Sequence, residues 1–568
     1  WPTFPMIFVK GVLIGGTISA EGNIITASDD GIELRTVSNV TIQGNTVALA
    51  VARGIALDNV TSATIGGAAS TQGNSIGGNG GDGIVIRNNS SNVTITGNFI
   101  RPIATIGGTF DNAGHGILLD TTSNITIGNG TAAGRNVIAG NRRRGITGTG
   151  AVSGISINGN FIGTDLAGNV AVTNGQAEGA SRRDAISFDS GSYSNIAILN
   201  NVLGGYTGAL IEFFNTGATG ITIQGNNVGV GADGVSSIVS SNTEDLIYFG
   251  GNPRAYNQVL IGGSGVGQGN MIAFSNRSGL RLQSSGNDIQ VIGNTIRNNT
   301  RNGIYLIDAT SAAFIGNRIF SNGMLGIDLG ENGVTQNDAG DGDSGQNNLL
   351  NFPAISAVNV RGPNEIAYNF TLDVPATANG YRVEFFANTS ADSSGFGEGE
   401  RYLGHIDIAH TGGVQTFTGT LTTLQSISIG DIISATATRR TASSAWDITS
   451  EFSAVATAAG TAQLAVTINS EVFDPQPGNS FATPGNDMLL TTTVSNVGTG
   501  ETDADSIFAV IAIDPNHSFL NDVLPGFGEV VGFSTSAPTL SFTPGTDLRF
   551  SNGPTPPASL AQCTYTPA

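Results

Sequence analysis

Three aspartates stand close together in the glycine-rich stretch NDAGDGDSGQNN, at Asp338, Asp341 and Asp343. Carboxylates on a flexible loop can gather around a hard cation, and calcium accepts an adaptable cage of oxygen ligands. The spacing is not that of an EF-hand, and Asp328 and Glu331 are near enough in sequence to help. The stretch reads either as a calcium site that stiffens a joint or as an acidic, solvated linker. Two other places hold groups capable of chemistry: the adjacent Asp29 and Asp30 in SDDG, and His115 with Asp120 in HGILLD. Adjacent aspartates commonly serve turns, and a lone histidine beside a corner more often serves structure than proton transfer. Neither is assigned a catalytic role.

Several function classes are excluded by composition. The formal charge is -20, from 43 acidic and 23 basic residues, opposite in sign to a phosphate-binding surface, so nucleic acid is not an expected partner. The clusters Arg142-Arg143-Arg144 and Arg182-Arg183 read as solvated loop charges, with an acidic glycan or a partner's carboxylates as the other reading. One cysteine, Cys563, leaves no internal disulfide framework. The histidines His115, His405, His410 and His517 are too scattered for a multi-histidine metal site. No apolar run is long enough to span a bilayer as a helix. Trp1 in place of an initiating methionine fits a removed signal peptide, and hence an extracellular or cell-surface location.

The elements that must position these residues are repeats. Asparagine recurs in an x-x-G-N-x-I phrase at Asn23, Asn45, Asn74, Asn98, Asn136, Asn160, Asn201, Asn226, Asn270, Asn294 and Asn317. The shorter steps cluster near about 24 residues, and the longer ones carry inserted loops. Within each unit a G-I-x-L phrase recurs, as in DGIEL (30–34), RGIAL (53–57), DGIVI (82–86) and NGIYL (302–306). A third phrase, such as NVTIQ (39–43) or NVTIT (92–96), precedes the asparagine. Each is a short alternating run bounded by turn residues, which predicts a strand. Three strands per unit with no helix between them predict the coil of a parallel β-helix, each strand pairing with its counterpart one coil on. Aliphatic residues then form inward columns, Asn and Gly take left-handed corners, and stacked asparagines can bond along a ladder. About eleven coils give a rod on the order of 50 Å long.

Catalysis on such a rod needs outward groups in neighbouring coils. Glycoside hydrolysis uses two facing carboxyls, and lyase chemistry adds a base to a cation site. The middle positions of G-I-x-L run Glu33, Ala56, Val85, Leu118, Thr147, Ser187, Ile247, Arg281, Tyr305 and Asp328, with no carboxylates in adjacent coils. The chain is therefore expected not to be an enzyme. Ala56, Val85 and Leu118 form an apolar strip suited to packing under a loop or against another subunit. On the NVTI strand only Thr94/Thr96 is a Thr-x-Thr pair, which argues against an ice-binding array.

Beyond about residue 350 the composition changes. Runs such as YRVEFFAN (381–388), RYLGHIDI (401–408) and VQTFTGTL (414–421) alternate between polar turns, and AQLAVTINS and DMLLTTTVSNVGTG do so further on. With the insert GNFIGTDLAGNVAVTNG (159–175) and the exit GIDLGENGVTQNDAGDGDSGQNNLLNFPAIS, the chain resembles bacterial secreted and cell-surface proteins with right-handed parallel β-helix repeats. The resemblance implies an immunoglobulin-like β-sandwich over 351–460 and a second sandwich, of bacterial surface-protein repeat type, over 461–568. The expected fold is all-β: a right-handed parallel β-helix over 1–350 followed by these two sandwiches.

A β-helix ends in strand edges that invite another chain unless capped, and neither end shows an amphipathic capping helix. Head-to-tail contact between copies would give filaments. The expected function is an extracellular structural protein, an adhesin, matrix, filament or surface-layer-type subunit that self-associates as a homo-oligomer or polymer. The alternative is a carbohydrate-active protein, either a polysaccharide-binding module or a pectate-lyase-like or glycosidase enzyme, engaging a surface glycan. It requires a groove with aromatic platforms and paired carboxylates, which an aromatic content of 7% makes sparse.

Overall fold

The computed structural model describes residues 10–17, 21–105, 108–172, 183–240, 244–252, 254–308, 311–330, 332–442 and 445–460, with the strand segments 464–473, 487–496, 508–511 and 548–551. Arg182, Glu331, His517 and Cys563 lie outside the described residues, as does most of the expected second sandwich.

The N-terminal part is a right-handed parallel β-helix. Strands of the G-I-x-L phrase, from Ile32–Arg35 to Ile327–Leu329, pair in parallel from coil to coil and form one face. Strands of the NVTI phrase, from Lys10–Gly15 to Ala313–Ile315, form another. The two faces merge into one 20-stranded sheet because Ile117–Ile127 and Ile146–Asn158 run through both. The asparagine phrase builds a separate sheet of 11 strands, from Ile24–Thr26 to Arg318–Phe320.

Corners follow the residues that tolerate positive φ. Asn39, Ser62, Asn92, Asn124, Asn195, Gln258 and Asp288 occupy one corner in successive coils with φ between 52° and 64°, and glycine takes the same position at Gly154 and Gly220. A short polar side chain can bond locally and offset the left-handed penalty, which explains the excess of asparagine.

The expected asparagine ladder is present in full. Each side-chain amide donates to the Oδ1 of the next rung, from Asn23 to Asn45 at 2.9 Å through to Asn294 and Asn317 at 3.0 Å. A second, shorter ladder joins Asn79, Asn112 and Asn141 at 2.8 and 2.9 Å.

Inside, the columns Ile55, Ile84, Ile117, Ile146 and Leu57, Ile86, Leu119 are fully buried. Where the leucine column reaches Gly148, aromatic rings take over. Phe188, Phe213 and Phe249 stack at 5.1 and 4.9 Å between centroids. Tyr193 and Tyr256 meet the stack edge-on, and their hydroxyls donate to backbone carbonyls, so the buried polar tips are satisfied.

The chain divides into two compact units. One comprises residues 1–358, 368–426 and 431–457; the other comprises 359–367, 427–430 and 458–568. Within the first, Thr377–Asn388 lies antiparallel between Arg401–His410 and Ile432–Ala442, and Ala445–Thr449 pairs with the latter. In the second, Leu464–Phe473 pairs antiparallel with Asp487–Asn496, and Phe508–Ile511 with Leu548–Ser551.

Inside the first unit the antiparallel strands close the last coil of the β-helix. Phe386 and Phe452 join the β-helix core, and the outward edge of the coil donates its N–H groups to acceptors from this module and from the connecting segment. Of the two ends expected to be uncapped, the edge of the last coil is thus occupied within the chain. No helix among the described residues is long and apolar enough to cross a membrane.

Candidate functional site

Strand register fixes which residues project outward from the G-I-x-L face. The row reads Thr147, Ser187, Glu212, Tyr248, Arg281, Tyr305 and Asp328 in seven successive coils. This corrects the sequence reading at two places. Ile247 is fully buried and points inward, and its neighbour Tyr248 takes the outward position. The strand Ile211–Phe214 is an additional coil that places Glu212 between Ser187 and Tyr248.

Coils stack about 4.8 Å apart, so the row brings unlike groups into contact. The Arg281 guanidinium lies 4.7 Å from the Tyr248 ring and 5.6 Å from the Tyr305 ring. Phe214, beside Glu212, is 5.8 Å from Tyr248. Phe214, Tyr248 and Arg281 are all partly exposed, so the centre of the row offers aromatic and cationic surface to solvent. Arg281 also sits 3.7 Å from Asp245, whose carboxyl is pushed above its usual range by burial.

Next to this platform is an acidic cluster around one cation. The Arg144 guanidinium is 3.1 Å from Asp184, 3.3 Å from Asp189 and 3.8 Å from Glu212. The Ser187 hydroxyl donates to Glu212 at 3.1 Å. Arg144 was expected to be a solvated loop charge; its side chain is only 14% exposed, held by the carboxylates around it. The Arg144 amide donates to His115 Nδ1 at 3.2 Å. Burial and the neighbouring arginines push His115 down to about 3, so the imidazole is a neutral acceptor. Asp120, for its part, accepts the Thr121 hydroxyl at 3.1 Å.

The other sequence candidates are structural. Asp30 receives Arg53 Nε and Nη2 at 2.9 and 2.7 Å and ties the first coils together. Ala56 and Val85 are buried within the chain, so most of the apolar strip is already covered. On the second face the structure places Thr64 and Thr126 in register with Thr41, Thr94 and Ser156, five hydroxyl residues in single file. The column beside it is mixed, running Gln43, Gly66, Thr96, Gly128 and Asn158, so the face carries no two-file array.

The three loop aspartates do come together. Asp338, Asp341 and Asp343 each offer an oxygen within 4.8 Å of the others. Asn351 pins the loop: its amide N–H donates to Asp341 at 2.7 Å, and its side chain bridges the Asp338 backbone and the Asp373 carbonyl. Burial, together with the charges of Asp343 and Asp338, pushes Asp341 up to about 6. The donor set fits a hard cation, because three oxygens on one loop share a site where mutual repulsion already costs free energy. Asp328 is not part of the cluster. It stands on the outward row and accepts from Asn302 Nδ2 at 3.1 Å.

No protein-family model matches the chain, and no curated protein matches it. Among solved structures it is similar to the A-module of the mannuronan C-5 epimerase AlgE4 from Azotobacter vinelandii, with 14% identity and a TM-score of 0.28 over 58% of this chain and 85% of that one. It is similar also to full-length tailspike protein 2 from the Escherichia coli O157:H7 bacteriophage CAB120, with 11% identity and a TM-score of 0.22 over 79% of this chain and 68% of that one. A third is PfbA, a surface adhesin of Streptococcus pneumoniae, with 13% identity and a TM-score of 0.18 over 56% of this chain and 86% of that one. The likeness concerns parallel β-helix architecture alone. The expectation that the chain is not an enzyme is nevertheless corrected, because an epimerase module is among the similar structures.

Proposed function

We propose that the chain is an extracellular carbohydrate-active protein that lays a polysaccharide along the outward row of its first face. The observation that supports this reading is the partly exposed group Phe214, Tyr248 and Arg281 at the centre of the row, flanked in register by the buried Glu212 and Tyr305. Aromatic rings present flat apolar surface to the faces of sugar rings, and guanidinium groups donate in a planar fork to hydroxyl or carboxylate oxygens. Of the carboxylates around Arg144, Asp184 and Glu212 are buried, and the partly exposed Asp189 is of a type used for proton transfer at sugars.

In this reading residues 351–460 form an immunoglobulin-like sandwich, residues 461–568 a second one, and Asp338, Asp341 and Asp343 bind calcium in a structural role. Calcium would relieve the repulsion that raises Asp341, and stiffen the loop that leaves the β-helix.

The test is binding and turnover on a panel of neutral and acidic polysaccharides, with Tyr248→Ala and Arg281→Ala compared against the unmodified chain. Each substitution is expected to weaken binding about tenfold or more, the loss of roughly 1.4 kcal/mol of contact; thermal unfolding serves as the control, with some loss in Arg281→Ala because it takes the cation from the buried Asp245. Analysis of the treated polysaccharide then separates a binder from an enzyme. Absence of binding to every polysaccharide, or binding insensitive to both substitutions, would remove this face from the function.

A further inference from the structure

The last coil ends in N–H groups that a further coil would have accepted, and three glutamates take over much of that role. Gly316 N–H donates to Glu384 at 2.9 and 3.1 Å, Ser321 and Asn322 donate to Glu398 at 2.6 and 3.1 Å, and Leu329 donates to Glu451 at 2.8 Å. Neutral acceptors fill the gaps between them: Asn347 for Ala312, Thr449 for Phe314 and the Gly399 carbonyl for Ile319. Glu384 and Glu451 are 1% and 2% exposed. Three carboxyls of one sign are thus seated along a single seam, where neutral amides or hydroxyls would serve equally well as acceptors.

We propose that this seam is a pH-operated latch, tightest in acid and progressively loosened as pH rises toward neutrality. Each glutamate must be desolvated to reach the coil, and a protonated carboxyl makes that transfer at much lower cost than a carboxylate. Burial pushes Glu384 and Glu451 up to about 7, against the ordinary 4.5 that they regain when the seam opens, and it raises Glu398 as well.

The neighbours modulate this without reversing it. Facing Glu384 are Arg382 on its own strand and Tyr402 and Asp407 on the adjacent one; Arg382 and the Tyr402 hydroxyl favour the charged form, and Asp407 opposes it. Asp328 faces Glu451 and raises it further, while the N–H groups of Leu329 and Thr335 hold it down. Asp392 does to Glu398 what Asp328 does to Glu451. The Tyr402 hydroxyl also meets the exposed His405 at 3.0 Å, so a short hydrogen-bonded path links the buried Glu384 to solvent.

Because the folded-state values are raised, the stabilisation is complete below about pH 4.5 and is lost as pH climbs to about 7, with no further change above. Each of Glu384 and Glu451 weakens closure about tenfold per pH unit across that window, for a total of about 300-fold apiece.

The experiment is amide hydrogen exchange on the full chain from pH 4.5 to 8.5, corrected for the intrinsic pH dependence of exchange and read on peptides covering residues 312–330. Protection there is expected to fall by more than tenfold between pH 5 and 7 and then level off, while peptides from the middle coils at 186–230 keep theirs. Glu384→Gln with Glu451→Gln should flatten the profile. Tyr402→Phe, a milder change, should move the levelling-off to higher pH, because Glu384 loses a donor that favours its charged form. A flat profile in the unmodified chain would overturn the proposal, as would an unmoved profile in Tyr402→Phe. A fall shared equally by the middle coils would also overturn it, since the response would then belong to the whole β-helix.

Discussion

Replacing Asn160 by alanine isolates what the asparagine ladder contributes. Asn160 is fully buried, and its Oδ1 accepts the Asn136 backbone N–H at 3.2 Å and the Asn136 side-chain amide at 2.9 Å. Its Nδ2 donates to the Ile127 carbonyl at 2.8 Å and to Asn201 Oδ1 at 3.1 Å. Not all four losses are equal. The Asn136 side chain still donates to the Ile95 carbonyl, and Asn201 Oδ1 still receives the backbone N–H of residue 160. What remains is two buried N–H groups of Asn136, that of its backbone and the second of its side-chain amide, and the Ile127 carbonyl without its amide donor. At about 1 to 3 kcal/mol for each group stranded away from water, the substitution costs roughly 3 to 9 kcal/mol. That is a large share of a typical folding free energy. Asn23→Ala is the control from the same column: Asn23 is exposed, and Asn45 Oδ1 retains the N–H of residue 23 at 3.1 Å, so the expected cost is under about 1 kcal/mol. Equilibrium urea unfolding of both variants, followed by far-ultraviolet dichroism, measures the difference. Equal losses at the two positions would refute the view that the ladder stabilises by satisfying buried groups.

Other outcomes follow from particular contacts. Calcium is expected to raise the thermal midpoint, and Asp341→Asn to abolish that gain; without calcium, stability should be lost as pH rises toward about 6, because Asp341 binds its proton more tightly when folded. Phe213→Ala removes the central ring of the three-ring stack and should cost about 3 to 5 kcal/mol by chemical denaturation. Gly163→Ala is expected to prevent normal folding, judged by loss of soluble monodisperse protein. A Cβ there would overlap the Gly204 carbonyl oxygen at a residue with φ of 76°.

The architecture was legible because packing repeats. Ile55, Ile84 and Ile117 must all fill the same column, and the Asn ladder must keep its phase from Asn23 to Asn317 or lose its bonds, so sequence and structure share one period. The closure of the last coil was not legible. Glu384 and Glu451 reach Gly316 and Leu329 across separations of 68 and 122 residues, and nothing in an alternating strand marks a glutamate as an acceptor for a distant backbone. The loop aspartates were legible for the opposite reason, since all three lie within one short glycine-rich run and need no long-range fold to bring them close.

The candidate site was hidden by the very coils that build it. Outward residues are read by counting from a landmark, and the landmark in this face is the glycine that precedes the first inward isoleucine. That glycine is present at Gly54, Gly83, Gly116 and Gly145, where a Cβ would strike the next coil's carbonyl oxygen. In three consecutive coils it is replaced, by Ala185, Leu210 and Leu246, all fully buried. Without the glycine, ALIEFF and DLIYF offer two possible phases, because Leu246, Ile247 and Phe249 are all apolar and all inside. Only the register of Ile211 with Ile247, and of Ile247 with Leu280, settles that Glu212, Tyr248 and Arg281 face out together. The same larger residues accompany the switch from leucine to phenylalanine in the neighbouring column. A local change of core packing therefore coincides with the one stretch of the rod whose outward face gathers Glu212, Phe214, Tyr248 and Arg281. The coils in which the repeat departs from its own rule are thus the coils that carry the proposed polysaccharide face, and counting along the repeat fails where that face lies.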